Sequence, residues 1–395
     1  MTEQHVPNST DLLIIGAGPV GLTLARALAG TRWQITLLDA KPLGHGQDDP
    51  RALALSHGTR QLLEPLGGWN ARAATAITNI HVSQRGGFGR TLMQATDYQL
   101  PALGYVKRYG ALAAQLTAAV QQHTDAKLLD HTEVLHVSPD SGPNGEATVT
   151  YRRHGQAGQI LAKLVVHADG TPYDDPEVSV RDYHQHAVLA EVSTTPGHGG
   201  RAWERFTPDG PLALLPLEDK LAVVFTVPPA RADALMQLDD SAFLAALQAQ
   251  FGSRLTFTAS SPRARFPLAL RLRNTLVKPQ EVWIGNTAQT LHPVSGQGFN
   301  LGLRDAWELA ELLADPHCQD SADPAQADRL AAYARHRQLD RKGSAVFTDG
   351  IVRLFSNDLP PLRLLRGLGL AALDLFPPAR HFVAKRMIWG ARAWP

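Results

Sequence analysis

Between Gly285 and Asp305 the chain reads Gly-Asn-Thr-Ala-Gln-Thr-Leu-His-Pro-Val-Ser-Gly-Gln-Gly-Phe-Asn-Leu-Gly-Leu-Arg-Asp. The chemistry this stretch can do lies in its backbone as much as in its side chains. Gly296 and Gly298 let the chain turn tightly and approach a ligand closely. With Gln297, Phe299 and Asn300 they make a Gly-Gln-Gly-Phe-Asn run that opens a helix. The first turn of a helix has unpaired N–H donors and a partial positive charge, which suits an anion or a developing negative charge. His292, ahead of Pro293, carries an imidazole whose ordinary pKa of about 6.5 suits proton movement.

The elements that must position this loop flank it. Glu281-Val282-Trp283-Ile284 is a short apolar run of the kind that forms a buried strand. Leu301, Leu303, Ala306, Leu309, Ala310 and Leu313 recur at helical spacing. A second strand–loop–helix unit stands at the other end of the chain. Asp11-Leu12-Leu13-Ile14-Ile15 runs into Gly16-Ala17-Gly18-Pro19-Val20-Gly21, and a helix is expected over Leu22 to Ala29. This is G-x-G-x-x-G after a strand and before a helix, the context that gives the pattern meaning. The next strand, Gln34 to Leu38, ends in Asp39, where an acid accepts hydrogen bonds from an adenosine ribose. Together these features point to a dinucleotide. Arg51, after a Gly-, Asp- and Pro-rich loop, is either a solvated surface residue or faces a pyrophosphate. Asp169 and Gly170 end another apolar run, Val165-Val166-His167-Ala168; they form either a plain turn or a carboxylate placed for a ribityl or pyrophosphate group.

A chain of 395 residues has room for two domains and a large core. With 38 basic and 37 acidic residues it has no field that would gather nucleic acid. The single cysteine, Cys318, excludes a disulfide framework and a Cys-based metal site, and no metal is expected. The first residues lack the basic and apolar regions of a secretory signal, and no apolar stretch is long enough to span a bilayer. A cytoplasmic location is expected. The middle of the chain is strand-rich: Ile80 to Ser83, a turn at Gly86 to Gly89, Val134 to Val137, Thr148 to Tyr151, Leu161 to Val166, Val188 to Val192, Leu212 to Leu217 and Leu221 to Val227. One helix is expected over Ala242 to Phe251, and Arg265-Phe266-Pro267-Leu268 is expected to lead back to the nucleotide unit. After Asp305 the chain reads as mainly helical.

These motifs resemble the flavoprotein aromatic-ring monooxygenases of the p-hydroxybenzoate hydroxylase class, which carry G-x-G-x-x-G, Asp-Gly and G-D-A-x-H-x-x-x-P-x-x-G-Q-G. Within the class the chain is most similar to the FAD-dependent hydroxylases of ubiquinone biosynthesis, in the branch that acts on 2-polyprenyl-6-methoxyphenol. Ile80-His81-Val82-Ser83, Asp97-Tyr98-Gln99-Leu100, Glu204-Arg205-Phe206, Gly210 to Pro216 and Ala288-Gln289-Thr290-Leu291-His292-Pro293 carry that similarity. The resemblance implies an α/β fold. Its Rossmann-like FAD-binding domain is discontinuous, over 1–75, 105–180 and 276–340. A mixed-sheet substrate domain, 76–104 and 181–275, is inserted, and a helical C-terminal segment, 341–395, follows.

It further implies that Gly16, Gly18, Gly21 and Asp39 hold the ADP half of FAD, with Arg51 near the phosphates and Asp169 and Gly170 beside the pyrophosphate. Asn286 would lie on the ribityl chain, where most of the class has Asp, and Pro293 near the flavin ring. Gly296, Gln297, Gly298, Phe299 and Asn300 would offer N–H groups to its pyrimidine edge. The implied reaction is para-hydroxylation of a polyprenyl methoxyphenol with O2, through a flavin C4a-hydroperoxide, with NADPH or NADH as reductant. His292 would hydrogen-bond the phenol or shuttle a proton, or else pack beside Pro293 and cap the loop. Two departures stand out. Gln289 replaces the usual His, and Thr171-Pro172-Tyr173-Asp174-Asp175-Pro176 replaces the Ser and Arg usual after Asp-Gly; the second puts nicotinamide recruitment in question. The rival readings are a sibling hydroxylase acting at another ring carbon and a flavin-binding scaffold without turnover.

The tail is basic. From Arg353 on, Arg363, Arg366, Arg380, Lys385, Arg386 and Arg392 face only Asp358 and Asp374, interleaved with Leu, Phe and Trp. Its apolar surface is expected either to pack on the FAD domain or to contact the inner face of the cytoplasmic membrane. Other proteins of ubiquinone biosynthesis are the expected partners.

Overall fold

The structure is a computed structural model and describes residues 5–46, 49, 51–355 and 360–390. The apolar run ahead of Gly16 forms the middle of a sheet. Strand Ser9–Ile15 lies between Gln156–His167 and Ile35–Leu38 and is parallel to both, with Leu12 opposite Leu164 on one side and Ile35 on the other. Glu281–Trp283 and Lys127–Leu129 extend the parallel set in the two directions. Leu12, Ile14, Leu164 and Val166 pack on helices Pro19–Ala27, Tyr109–His123 and Gln297–Ala314. Leu13, Ile15 and Val165 pack on the other side, with Ala147, Val149 and Ile160. Cover on both faces explains why these strands read as unbroken apolar runs.

A nine-stranded sheet forms a second layer. Its strands run in the order Gln289–Thr290, Ala264–Arg273, Val178–Thr195, Lys220–Val227, Pro211–Leu217, Arg201–Phe206, Asn79–Gln84 and Arg90–Gln94, with Thr256–Ser260 also paired to Val178–Thr195. Residues opposite one another across strands share a face. One face carries Trp203, Leu214 and Val223, which close over Phe243, Leu247 and Phe251 of helix Asp240–Phe251. The other carries the row Thr91, Val82, Glu204, Ala213 and Val224, and beside it Met93, Ile80 and Ala202. This second face turns inward. Ala202 and Ile80 meet Val106 and Ala52 of a small third sheet, built from Ala52–Ser56, Gly104–Arg108 and Thr75–Ile77. Phe206 meets Val294 of the glycine-rich loop.

One local expectation changes. A further helix, Pro229–Gln237, precedes the expected one. It starts on a Pro suited to the first turn, but Ala232 and Leu235 alone are buried, so its apolar period is thin. Arg265 to Leu268 lies inside strand Ala264–Arg273, with Pro267 opposite His186, and the chain runs on from it to Val277–Lys278 at the edge of the first sheet.

The tail folds back over both layers. Helix Pro360–Leu375 lies on strand Arg90–Gln94, where Thr91 Oγ1 donates to the Leu370 carbonyl at 2.8 Å. Helix Pro377–Trp389 lies on helix His57–Leu63. A Cβ on Gly58 would come within 3.2 Å of the Ile388 carbonyl oxygen, and Ala384 and Ile388 are buried with Met93 and Leu103. Asp358 and Arg392 lie outside the described residues, as does the side chain of Arg363. Among the described residues no helix is long and apolar enough to cross a membrane.

Candidate active site

The three glycines of the first motif do different work. A Cβ on Gly16, whose φ is +103°, would press within 2.7 Å of Asp169 Cα, and one on Gly21 would overlap the Gly16 carbonyl oxygen. Both are therefore required by the protein's own packing. Gly18 has an ordinary φ of −74°, and a Cβ there would meet only Tyr109 Oη, at 3.7 Å. It faces open space at the N-terminus of helix Pro19–Ala27, which no side chain caps. Asp39 accepts from Ala17 N and Lys41 N at 2.8 Å each. Those bonds fix the carboxylate at the end of its strand and leave lone pairs for a ligand hydroxyl.

Gly16, Ala168 to Gly170 and Gly285 to Asn286 follow three neighbouring parallel strands and gather at their carboxyl ends, the crevice where open α/β sheets bind ligands. Asp169 and Asn286 are exposed there, and Asn286 Nδ2 donates to Thr171 Oγ1 at 3.4 Å. Arg51 stacks its guanidinium 4.7 Å over the Tyr109 ring and pairs with Asp49 at 2.6 Å. The Asp49 hydrogen bond outweighs burial and raises the Arg51 pKa. Tyr109 meets Phe299 edge-on, at 6.5 Å between ring centres. Arg51, Tyr109 and Phe299 thus join the two glycine motifs, and no sequence spacing marks Tyr109.

Gly296 is left-handed, with φ +60°, and precedes helix Gln297–Ala314 with no side-chain cap. A Cβ on Gly298 would come no closer than 3.8 Å to Leu291 Cβ. Asn300 is buried, and its amide makes four bonds inside the protein. Oδ1 accepts from Ser56 N at 2.8 Å and Thr59 Oγ1 at 2.7 Å; Nδ2 donates to the carbonyls of Ala54 at 3.0 Å and Gly296 at 2.8 Å. Only the Asn300 backbone is left for a ligand. Gln297 Nε2 donates to the Met387 carbonyl at 3.2 Å and ties the loop to the tail.

His292 is completely buried, and its Nδ1 accepts from Val294 N at 3.1 Å, capping the turn Pro293–Ser295. Its ring stands edge-on to Tyr183 at 5.1 Å. Burial pushes its pKa down to about 4, so it is neutral near pH 7 and can donate only from Nε2. Gln289 is buried behind the loop. It donates to Asp305 and accepts from Arg341 Nε at 2.6 Å. Asp305 also accepts from Gly285 N at 3.0 Å and Arg337 Nε at 2.7 Å. Arg337 is fully buried and reaches Glu308 and Asp340 as well, and these carboxylates overcome burial to raise its pKa. Arg337 and Arg341, on helix Ala327–Phe355, brace the loop, and no motif in the sequence marks them. Beyond Gly170, Tyr173 is exposed under Arg271, and Asp175 pairs with the buried Arg273.

Where the loop, the inner face of the large sheet and the tail converge there is a cavity of about 70 Å³. Ile77, Ile80 and Met93 line it from the strands, Gly296 and Gln297 from the loop, and Ile388 from the tail.

These features fit FAD on the structure's own terms: open space at Gly18, two uncapped helix N-termini and a crevice joining them. The FAD binding domain family matches residues 9–342. The 3-demethoxyubiquinol 3-hydroxylase of Escherichia coli K12 is 31% identical over 389 residues, covering 92% of this chain and 95% of that protein. The ubiquinone hydroxylase UbiL of Rhodospirillum rubrum is 31% identical, covering 98% of this chain and 91% of its own. Among solved structures, p-nitrophenol 4-monooxygenase PnpA of Pseudomonas putida DLL-E4 superposes with a TM-score of 0.78 at 15% identity, over 98% of this chain and all of that one. The chain belongs to the FAD-dependent monooxygenases of the ubiquinone-biosynthesis hydroxylase family.

Proposed function

We propose that this protein hydroxylates the ring of a polyprenyl methoxyphenol para to its hydroxyl, using O2 and a reduced nicotinamide. The observation that carries this reading is the apolar cavity between the uncapped Gly296 to Asn300 loop and the inner face of the large sheet. An aromatic ring there lies against the uncapped start of helix Gln297–Ala314, whose N–H groups favour negative charge. When bound, FAD supplies an oxygen atom taken from O2 with electrons from the reductant.

The chain's own residues do the rest. Segments 1–75, 105–180 and 276–340 would hold the cofactor, Gly18 leaving room for its pyrophosphate, Asp39 accepting from its ribose, and Asp169 and Asn286 binding the linker between. Pro293 and the Gly296 to Asn300 loop would hold the flavin ring, and the N–H groups of that loop would stabilise negative charge on its edge. Segments 76–104 and 181–275 shape the substrate pocket, and 341–395 closes it through Ile388. Ile77, Ile80, Met93 and Ile388 exclude water from the reacting centre. His292, neutral and oriented by Val294, is a fixed donor.

A second reading is favoured by the 31% identity to a 3-demethoxyubiquinol 3-hydroxylase: hydroxylation at another ring carbon. One experiment separates them. Purified protein with FAD, NADH or NADPH, and 2-prenyl-6-methoxyphenol should give the para-hydroquinone, identified by NMR. A product hydroxylated at C3 or C5 instead supports the second reading. Flavin turnover with no ring product overturns both.

A further inference from the structure

One carboxyl group in the inner layer is unlike the others. Glu204 shares a row with Val82 and Ala213, between apolar neighbours on both strands. Two residues along on the same face, Ala202 stands opposite Ile80, which lines the cavity at Gly296 and Gln297. Two residues the other way, Phe206 packs with Val294, next but one to His292. Glu204 is thus bracketed by the cavity wall and the glycine-rich loop. Its Oε1 is out of solvent and has no hydrogen-bond partner among the described residues, although the side chain as a whole is half-buried. A carboxyl oxygen buried without a partner is costly to the fold, and a packed apolar residue would serve the layer better.

We propose that Glu204 binds the phenolic hydroxyl of the substrate and accepts its proton. This rests on the reading of the substrate as a phenol. In the step, the phenol O–H bond breaks, its electron pair stays on the ring oxygen, and the proton joins the Glu204 carboxylate. The ring becomes a phenolate, richer in electrons at its ortho and para carbons. Nothing is oxidised or reduced at Glu204, and the proton passes to solvent before the next turnover.

Burial alone pushes the Glu204 pKa up to about 8. Ionisable groups on the surrounding elements include Arg201 and Arg205 on its own strand, His81 and Arg90 on the next two strands of the sheet, His292 of the loop, Tyr183, Asp349 and Arg353 of helix Ala327–Phe355, and Arg366 and Asp374 of helix Pro360–Leu375. None of them adds to the shift. A carboxyl with this pKa is shared between acid and base forms just where a phenol must be ionised.

The test uses FAD-loaded protein reduced with dithionite, then mixed with O2 and 2-prenyl-6-methoxyphenol, so that the nicotinamide step plays no part. In wild type the yield of hydroxylated phenol per reduced flavin should rise with pH through about 8. Glu204→Gln should keep FAD, lose that limb, and slow hydroxylation by about 10²- to 10⁴-fold. Glu204→Asp should restore a titrating limb. Independently, infrared difference spectra of the oxidised holoprotein should show a protonated carboxyl at pH 7, absent in Glu204→Gln, that shifts when the phenol is added. An unchanged pH profile in Glu204→Gln, or a carboxyl band indifferent to the phenol, overturns the assignment. If wild type makes no product but the band shifts, the proposed reaction fails while Glu204 as the phenol's partner stands. Should Glu204→Gln lose its flavin, Glu204→Asp and the wild-type band decide.

Discussion

The two glycines that flank Pro19 and Val20 give a sharp test, because the structure assigns them opposite roles. Replace Gly21 by Ala, and the new methyl overlaps the Gly16 carbonyl oxygen and crowds Ile14 Cγ2 at 3.2 Å. Backbone must move, and overpacking of this kind costs about 1–3 kcal/mol. Replace Gly18 by Ala, and the methyl meets only a tyrosine oxygen at 3.7 Å. The unfolded chain loses freedom, which favours the folded state by about 0.4–1 kcal/mol. Loss of a preferred N-cap residue works against this by a similar amount, so the apoprotein should change by less than about 0.5 kcal/mol. The methyl instead occupies the space where the pyrophosphate would approach. If the same ~1–3 kcal/mol falls on FAD, its Kd rises by about 5- to 150-fold. Urea unfolding of the apoproteins gives the first quantity and fluorescence titration with FAD the second. Gly18→Ala with wild-type affinity, or with an apoprotein as unstable as Gly21→Ala, would refute the division of labour.

Three further outcomes are expected. Asn300→Ala removes four hydrogen bonds, two of them to buried partners, and should destabilise the fold by about 2–4 kcal/mol, so a drop in apoprotein Tm should precede any change in flavin potential. His292 is neutral when folded, with a pKa near 4, against about 6.5 unfolded. Its contribution is complete above pH 6.5 and is lost as pH falls toward 4, by about 1.4 kcal/mol per pH unit; His292→Leu should flatten that fall by this amount, and an unchanged slope would show a titrating ring. In the tail, Leu375, Phe376 and Phe382 are 82%, 59% and 61% exposed beside Lys385. Co-sedimentation with anionic liposomes should weaken with salt and with the joint change of Arg380, Lys385 and Arg386 to Gln; equal binding at low salt would leave the tail a packing element.

Much of the architecture was legible because it follows from local rules. Unbroken apolar runs gave the parallel strands around Gly16 and Asp169, and the Gly-Gln-Gly run gave the start of helix Gln297–Ala314 to within a residue. What the sequence hid arises from contacts between distant segments. Asn300 looks like a ligand in a glycine-rich loop, but its amide closes on Ala54, Ser56 and Thr59, which lie some 240 positions earlier. Arg337 and Arg341 belong to no motif and are buried against Asp305 and Gln289. Glu204 sits in an alternating strand like any exposed acid; only the register with Val82 and Ala213 turns it inward. Gln289, a departure from the class pattern, proves to be a buried brace for the loop.

The central claim is that this FAD-binding chain inserts an atom of O2 into a polyprenyl phenol. Turnover under isotopically labelled dioxygen, with 2-prenyl-6-methoxyphenol and mass analysis of the product, tests it most directly. The expected result is one labelled oxygen on the ring, formed only with flavin bound. Unlabelled product, or flavin oxidation that yields hydrogen peroxide alone, would contradict it.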